Sequence, residues 1–244
     1  MHGSAPRKIE KDRHRTLRRI ISITILFAVI PALVLTGIFV LNDRKYYLIS
    51  IAIMIASAVP LVLRFENRLP QAREIVLLAV MSGIAVAARA AFYFLPAFKP
   101  ITAVIIIAGA GFGAEGGFIV GAVSAFVSNF FFGQGPWTPW QMFAMGLVGF
   151  CAGLFFHSGL LARKKLPLCI FGFLMTMCYG FIMDTGTPLM YASMPSTELF
   201  LQAYALGFWL NVIHGTCTVI TLFLLAIPFL DKIDRIKVKY GLLE

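Results

Sequence analysis

The sequence predicts an all-α integral membrane protein with about eight transmembrane helices, and three observations predict it. The 244 residues are 59% hydrophobic and 13% charged, with a mean hydropathy of +0.87, far outside the range of a soluble domain. The apolar residues collect in runs, most of them near the ~20 residues that a spanning helix requires. The basic residues collect between alternate runs, as they do on cytoplasmic flanks.

Residues 1–19 contain "RKIEKDRHRTLRR". This stretch is too long and too charged for an ordinary signal n-region, and no small-residue cleavage pattern follows, so a retained basic cytoplasmic tail is expected. Apolar runs then occupy roughly 20–41, 46–63, 75–95, 101–113, 117–132, 139–158, 167–186 and 204–230. The first two form an N-terminal pair within residues 20–72. The fourth and fifth are short and joined by "GFGAEGG", which predicts a tight hairpin that need not cross the membrane squarely, with both outer ends on one side. A cytoplasmic tail is expected over 232–244.

With the N-terminus inside, 17 of the 21 Lys and Arg residues fall in inner segments: seven before residue 20, then Arg64, Arg68 and Arg73, Arg163, Lys164 and Lys165, and Lys232, Arg235, Lys237 and Lys239. Only Arg44, Lys45 and Lys99 fall outside, and Arg89 lies within a span. Both termini are therefore expected on the cytoplasmic side of a multi-pass plasma-membrane protein. In this setting the formal charge of +10 marks flanks against the lipid bilayer and calls for no nucleic acid. Cys151, Cys169, Cys178 and Cys217 lie singly in apolar runs and read as packing thiols.

This orientation puts "SNFFFGQGPWTPWQM", residues 128–142, at the outer face without one charged residue. Trp137 and Trp140 suit the headgroup level, and Pro136 and Pro139 stiffen the connection. An aromatic belt explains the tryptophans but not Asn129, Gln134 and Gln141. Aromatic faces with neutral donors and acceptors suit a ligand site, so the stretch is expected to be the lid and wall for a largely neutral ligand.

Ionisable and strongly polar groups inside a membrane are costly and face a cavity or a partner. Arg89, in the outer half of the third run, either snorkels to the interface or supplies a cationic donor to the site. Phe92 and Tyr93 follow about one turn later. Asn211 and His214, three residues apart, share a helix face and form either an interhelical pair or a ligand contact. Asp184 is placed to pair with Arg89 or to touch substrate, and Glu115 reads as a turn residue. Ala79, Gly83, Ala87 and Ala91 make a smooth four-residue repeat for close helix approach, within the bundle or to another protein.

Several chemistries are missing. The chain has no G-x-x-x-x-G-K-[ST] loop and no H-E-x-x-H pair, and Ser124 and Ser158 lack a hydrolase elbow. No cofactor, metal or catalytic residue is implied. A small membrane protein with an outward site and no energy source needs a partner to do work.

Residues 73–231 resemble the substrate-binding S component of energy-coupling factor (ECF) vitamin transporters. The resemblance rests on the small residues of the third run, the arginine and aromatics before "LPAFKP", the hairpin "AGAGFGAEGGFIVGAVSAFVSN" and, most specifically, "FFGQGPWTPWQMFAMGLVGFCAGL". It implies a six-helix substrate-binding core preceded by two extra spans. It also implies a vitamin-like ligand held between the outer loops, and an ECF membrane scaffold subunit with two ATPase subunits as partners. Scaffold docking would fall on Ala79, Gly83 and Ala87. The "GQGPWTPWQ" loop looks most like cobalamin or corrinoid types, although another vitamin or a nucleobase precursor fits the same residues. Two other classes stay open: a membrane enzyme acting on a lipid or isoprenoid through Asp184, Arg89 and His214, and a membrane assembly protein without a small-molecule ligand.

Overall fold

A computed structural model describes residues 17, 20–40, 48–53, 55, 56, 59, 72–158, 161, 163–192 and 196–240, the side chains of 37–39 excepted. Most of the basic tail before residue 20, Arg44, Lys45, Arg64, Arg68, and parts of the second expected span lie outside the described residues.

Among the described residues helices are joined by short turns and loops, and there is no strand. A π-helical turn, Ile25–Val29, runs into α1 (Ile30–Phe39). Its cause is local: Pro31, in the first turn of α1, cannot donate to the Phe27 carbonyl, and its ring presses on that group, which a wider turn relieves. Residues 48–53 are also helical, and after them the described residues form six helices: α2 (Ala72–Ala91), α3 (Ile101–Phe112), α4 (Ala114–Phe132), α5 (Trp137–Phe156), α6 (Lys165–Tyr191) and α7 (Thr197–Tyr240). All except α3 are long and apolar enough to cross a membrane. The chain is thus an all-α multi-pass membrane protein.

The fourth run forms the expected tight hairpin with the fifth and does not cross the membrane. Helix α3 has 12 residues, a length of roughly 18 Å at 1.5 Å per residue, which is short of the ~30 Å hydrocarbon layer. All 12 are buried, so "ITAVIIIAGAGF" is a core helix surrounded by protein. It ends at Gly113, whose φ of 88° and ψ of 179° belong to a region essentially reserved for glycine. This single residue reverses the chain, and α4 starts immediately at Ala114. The fifth run is consequently longer than its hydropathy suggested.

Glycines bring α3, α4 and α5 into backbone contact. A Cβ added at Gly117 would stand 2.6 Å from the Gly109 Cα, and one at Gly149 would stand 2.5 Å from the Gly117 carbonyl carbon. Helices lacking a hydrophobic drive to associate in lipid rely on such close packing. Ile105, Phe112, Phe118, Met142 and Leu222 fill the remaining core and are essentially inaccessible. The N-terminal segment joins the same apolar cluster through buried Leu26, Ile30 and Val34, with Phe27 edge-on to Phe150 of α5 at 5.7 Å.

Helix α7 has 44 residues, roughly twice the length needed to span. Its last turns carry the segment expected as a tail. Ile233 is buried, the Lys237 ammonium donates to the Gly111 carbonyl, and Tyr240 lies under the Arg73 guanidinium at 4.8 Å. Arg163 pairs with Asp231 and Asp234 nearby. Basic groups therefore concentrate at this end, as the charge bias predicted, and the aromatic loop 133–136 is at the other.

Candidate functional site

Four helices converge at the loop-bearing end. Helix α2 delivers Arg89 two residues before its terminus, and Arg89 does not snorkel. Its Nη1 turns inward and donates to Ser128 Oγ at 2.5 Å and to Asn129 Oδ1 at 2.8 Å. Both acceptors are fully buried in the last turn of α4. The guanidinium also covers the Phe132 ring, 4.3 Å from its centroid, and Tyr93 packs on the same ring at 5.1 Å.

Asn129 is the hub. Its amide nitrogen donates to Thr138 Oγ1 at 3.0 Å and to Gln141 Oε1 at 2.8 Å, both on α5. Gln141 then reaches the Tyr179 hydroxyl of α6 through a long 3.4 Å bond. Thr138 donates to Gln134 Oε1 at 2.9 Å, and Gln134 Nε2 donates to the Phe126 carbonyl at 2.9 Å. These bonds tie the loop to α4 at one side and α5 at the other, and neutral amides suffice because each acts as donor and acceptor. Buried polar groups in a low-dielectric region are stable only when satisfied in this way.

The tryptophans occupy different positions. Trp137 opens α5, and its ring lies where a Gly135 side chain would otherwise stand. Trp140 is only 9% exposed. It presses on α6 at Gly186, where an added Cβ would come within 3.0 Å of the indole, and its Nε1 is buried without a hydrogen-bond partner. A buried orphan donor is uncommon and costs free energy.

His214 and Asn211 do not act together. His214 Nε2 lies 2.9 Å from Thr102 Oγ1 of α3, and its ring meets Tyr179 edge-on at 5.6 Å. It therefore borders the network. Asn211 instead donates to Asp184 Oδ2 at 2.8 Å, and the pair nests in the α6–α7 interface against Gly180 and Gly207. The anticipated Asp184–Arg89 pairing is not formed, because each side chain is engaged by a different helix. Glu115 occupies the first turn of α4.

The structure thus joins Arg89, Asn129, Gln134 and Gln141 directly, and brings Tyr93, Trp140 and His214 to the edge of the network, but leaves Asn211 outside. Ser128, Thr138, Tyr179 and Thr102 were missed. Ser128 and Thr138 stand within or beside the quoted loop and were legible there, whereas Thr102 and Tyr179 carry no signal beyond being polar in apolar runs. Among the described residues no group of three His, Cys, Asp or Glu side chains is gathered as a metal site.

Replacing Asn129 with alanine removes three hydrogen bonds and leaves Gln141 and Thr138 short of partners. Each stranded buried group costs about 1–3 kcal/mol. The expected result is a markedly lower unfolding temperature in detergent, and an unchanged temperature would show that the hub is dispensable.

A family model described as "ECF-type riboflavin transporter, S component" matches residues 70–232. Two UPF0397 proteins of Aliivibrio fischeri, from strains MJ11 and ATCC 700601 / ES114, are each 27% identical over 148 residues, covering 54% of this chain and 78% of theirs. No solved structure matches the chain.

Proposed function

This chain belongs to the family of ECF-type riboflavin transporter S components, and from that premise we propose that it captures a vitamin-like micronutrient at the outer face of the plasma membrane. It is a substrate-specific vitamin-transporter subunit. Uptake would be driven by a scaffold subunit and two ATPase subunits, with both termini of this chain cytoplasmic.

The observation that carries the binding role is the Arg89–Asn129–Gln141–Tyr179 chain, which draws on α2, α4, α5 and α6 at one end of the molecule. Two aromatic side chains of the adjoining loop and helix, Trp137 and Trp140, stand beside it. The family description favours a flavin-sized ligand. The corrinoid suggested by the loop has no support from that description and remains the second arm of the test. The enzyme reading is disfavoured because Arg89, Asp184 and His214 engage Asn129, Asn211 and Thr102 respectively and form no common cluster.

Docking to the scaffold is proposed for Ala79, Gly83 and Ala87. All three lie on the exposed side of α2, whereas Leu78, Met81, Ser82 and Ala85 face the core. A Cβ added at Gly83 would meet nothing within 4 Å among the described residues, so none of the described helices uses this point of the strip. Toward the cytoplasmic end the same helix borders a shallow cleft of about 360 Å³ beside Val76, Ile236 and Tyr240.

A fluorescence titration of the purified protein against vitamins including riboflavin and cobalamin tests the binding role. Saturable nanomolar quenching by one vitamin is expected, weakened in Trp140→Phe and Trp137→Phe. Absence of binding across the panel, in a protein that remains folded, would count against it.

A further inference from the structure

Arg89 and Lys99 are two cations held around one phenyl ring at the outer end of the site. Arg89 lies 4.3 Å and Lys99 5.4 Å from the Phe132 centroid. Lys99 is anchored by the carbonyls of Phe92 and Tyr93. Partial burial, and then the Arg89 charge, hold its ammonium below the ordinary lysine range.

Neither cation has an acidic partner among the described residues. Asp184, for which pairing with Arg89 was one of two alternatives, is engaged by Asn211. Like charges brought together with partial desolvation are unfavourable unless a counter-charge relieves them.

The hydrogen-bond inventory of Arg89 is also unequal. Nη1 spends both of its hydrogens on Ser128 and Asn129. Nε and Nη2 have no protein acceptor, yet they are not among the buried orphan atoms, which are Ser50 Oγ and Trp140 Nε1. They are therefore accessible, and with Nη1 fixed to α4 they present the edge of the guanidinium that accepts a carboxylate or phosphate in fork geometry.

We infer that the ligand of this site carries an anionic group, a carboxylate or phosphate, which the free edge of Arg89 receives with Lys99 as the second cation. This rests on the vitamin-binding reading and narrows it. The body of the ligand would meet the neutral amides and aromatics of the loop, and its single charged end would lie beside Phe132. The expectation of a largely neutral ligand then holds for the body and fails for that end.

The experiment compares molecules that differ in the anion, using the full chain in nanodiscs of zwitterionic lipid: FMN with riboflavin, nicotinate with nicotinamide, pantothenate with panthenol, and cobalamin with cobinamide, which lacks the phosphate-bearing nucleotide loop. The bound pair is expected to favour its anionic member about ten- to a hundredfold, as charge-assisted hydrogen bonds do. Arg89→Gln should abolish this preference. Lys99→Gln, at the loop and outside the buried network, should give a smaller loss in the same direction without loss of folded protein.

Equal binding of both members, or a preference for the neutral one that survives Arg89→Gln, overturns the inference while leaving the vitamin-binding reading intact. Phospholipid that copurifies with the wild type but not with Arg89→Gln would assign the cations to a lipid headgroup and also overturn it. Failure of folded wild-type protein to bind any of the eight probes removes the vitamin-binding reading, and this inference with it.

Discussion

Exchanging Gly149 for valine is expected to prevent the membrane core from assembling. The side chain would enter a space already occupied by backbone: an added Cβ alone stands 2.5 Å from the Gly117 carbonyl carbon and 3.0 Å from the Ile105 Cγ2. Backbone cannot rotate away as a flexible side chain does, so α4 and α5 must separate. Overpacking a core costs roughly 1–3 kcal/mol even when side chains absorb it, and separating two helices forfeits their shared contacts as well. Against a total stability of about 5–15 kcal/mol, little or no monodisperse protein should survive size-exclusion chromatography in detergent. Gly83→Ala provides the contrast, since nothing lies within 4 Å of the added atom, and its unfolding temperature should match the wild type. Equal behaviour of the two variants would contradict the tight α3–α4–α5 packing.

The second large effect separates transport from capture. Gly83→Trp, or Ala79→Phe with Gly83→Phe, places bulk on the exposed strip of α2, more than one helical turn from Arg89. Vitamin binding by the isolated protein should persist. Uptake in cells and copurification with the proposed scaffold should fall by an order of magnitude or more, because small-residue interfaces work by letting backbones approach. Uptake at the wild-type level would dismiss this docking strip. Loss of binding together with uptake would instead mean that the strip supports the fold, contrary to the open space around Gly83.

The parts of this protein that were legible in its sequence depend on one residue at a time or on neighbours along the chain. Apolar runs located α2 and α4–α7 because transfer into lipid favours such side chains wherever they sit. The helical repeat placed Ala79, Gly83 and Ala87 on one face, and the neutral amides of 129–141 marked the loop end. Hydropathy alone does not separate a buried core helix from a membrane span, which share one apolar composition, and at α3 only the shortness of the run pointed to the difference. It also missed the end of α7, because charged residues can continue a helix beyond the bilayer.

The sequence by itself determined that the chain is a bundle of apolar helices, which end is basic, and that polar groups gather at the opposite end. Only the tertiary structure decided that Arg89 turns to Ser128 and Asn129, that Asp184 answers Asn211, and that the small-residue strip faces away from the bundle. Hydrophobic burial acts without direction and can be summed along a chain. A hydrogen bond requires a donor and acceptor within about 3 Å and in line, and groups 40 residues apart meet that condition only once the glycines of α3, α4 and α5 have set which helices stand side by side.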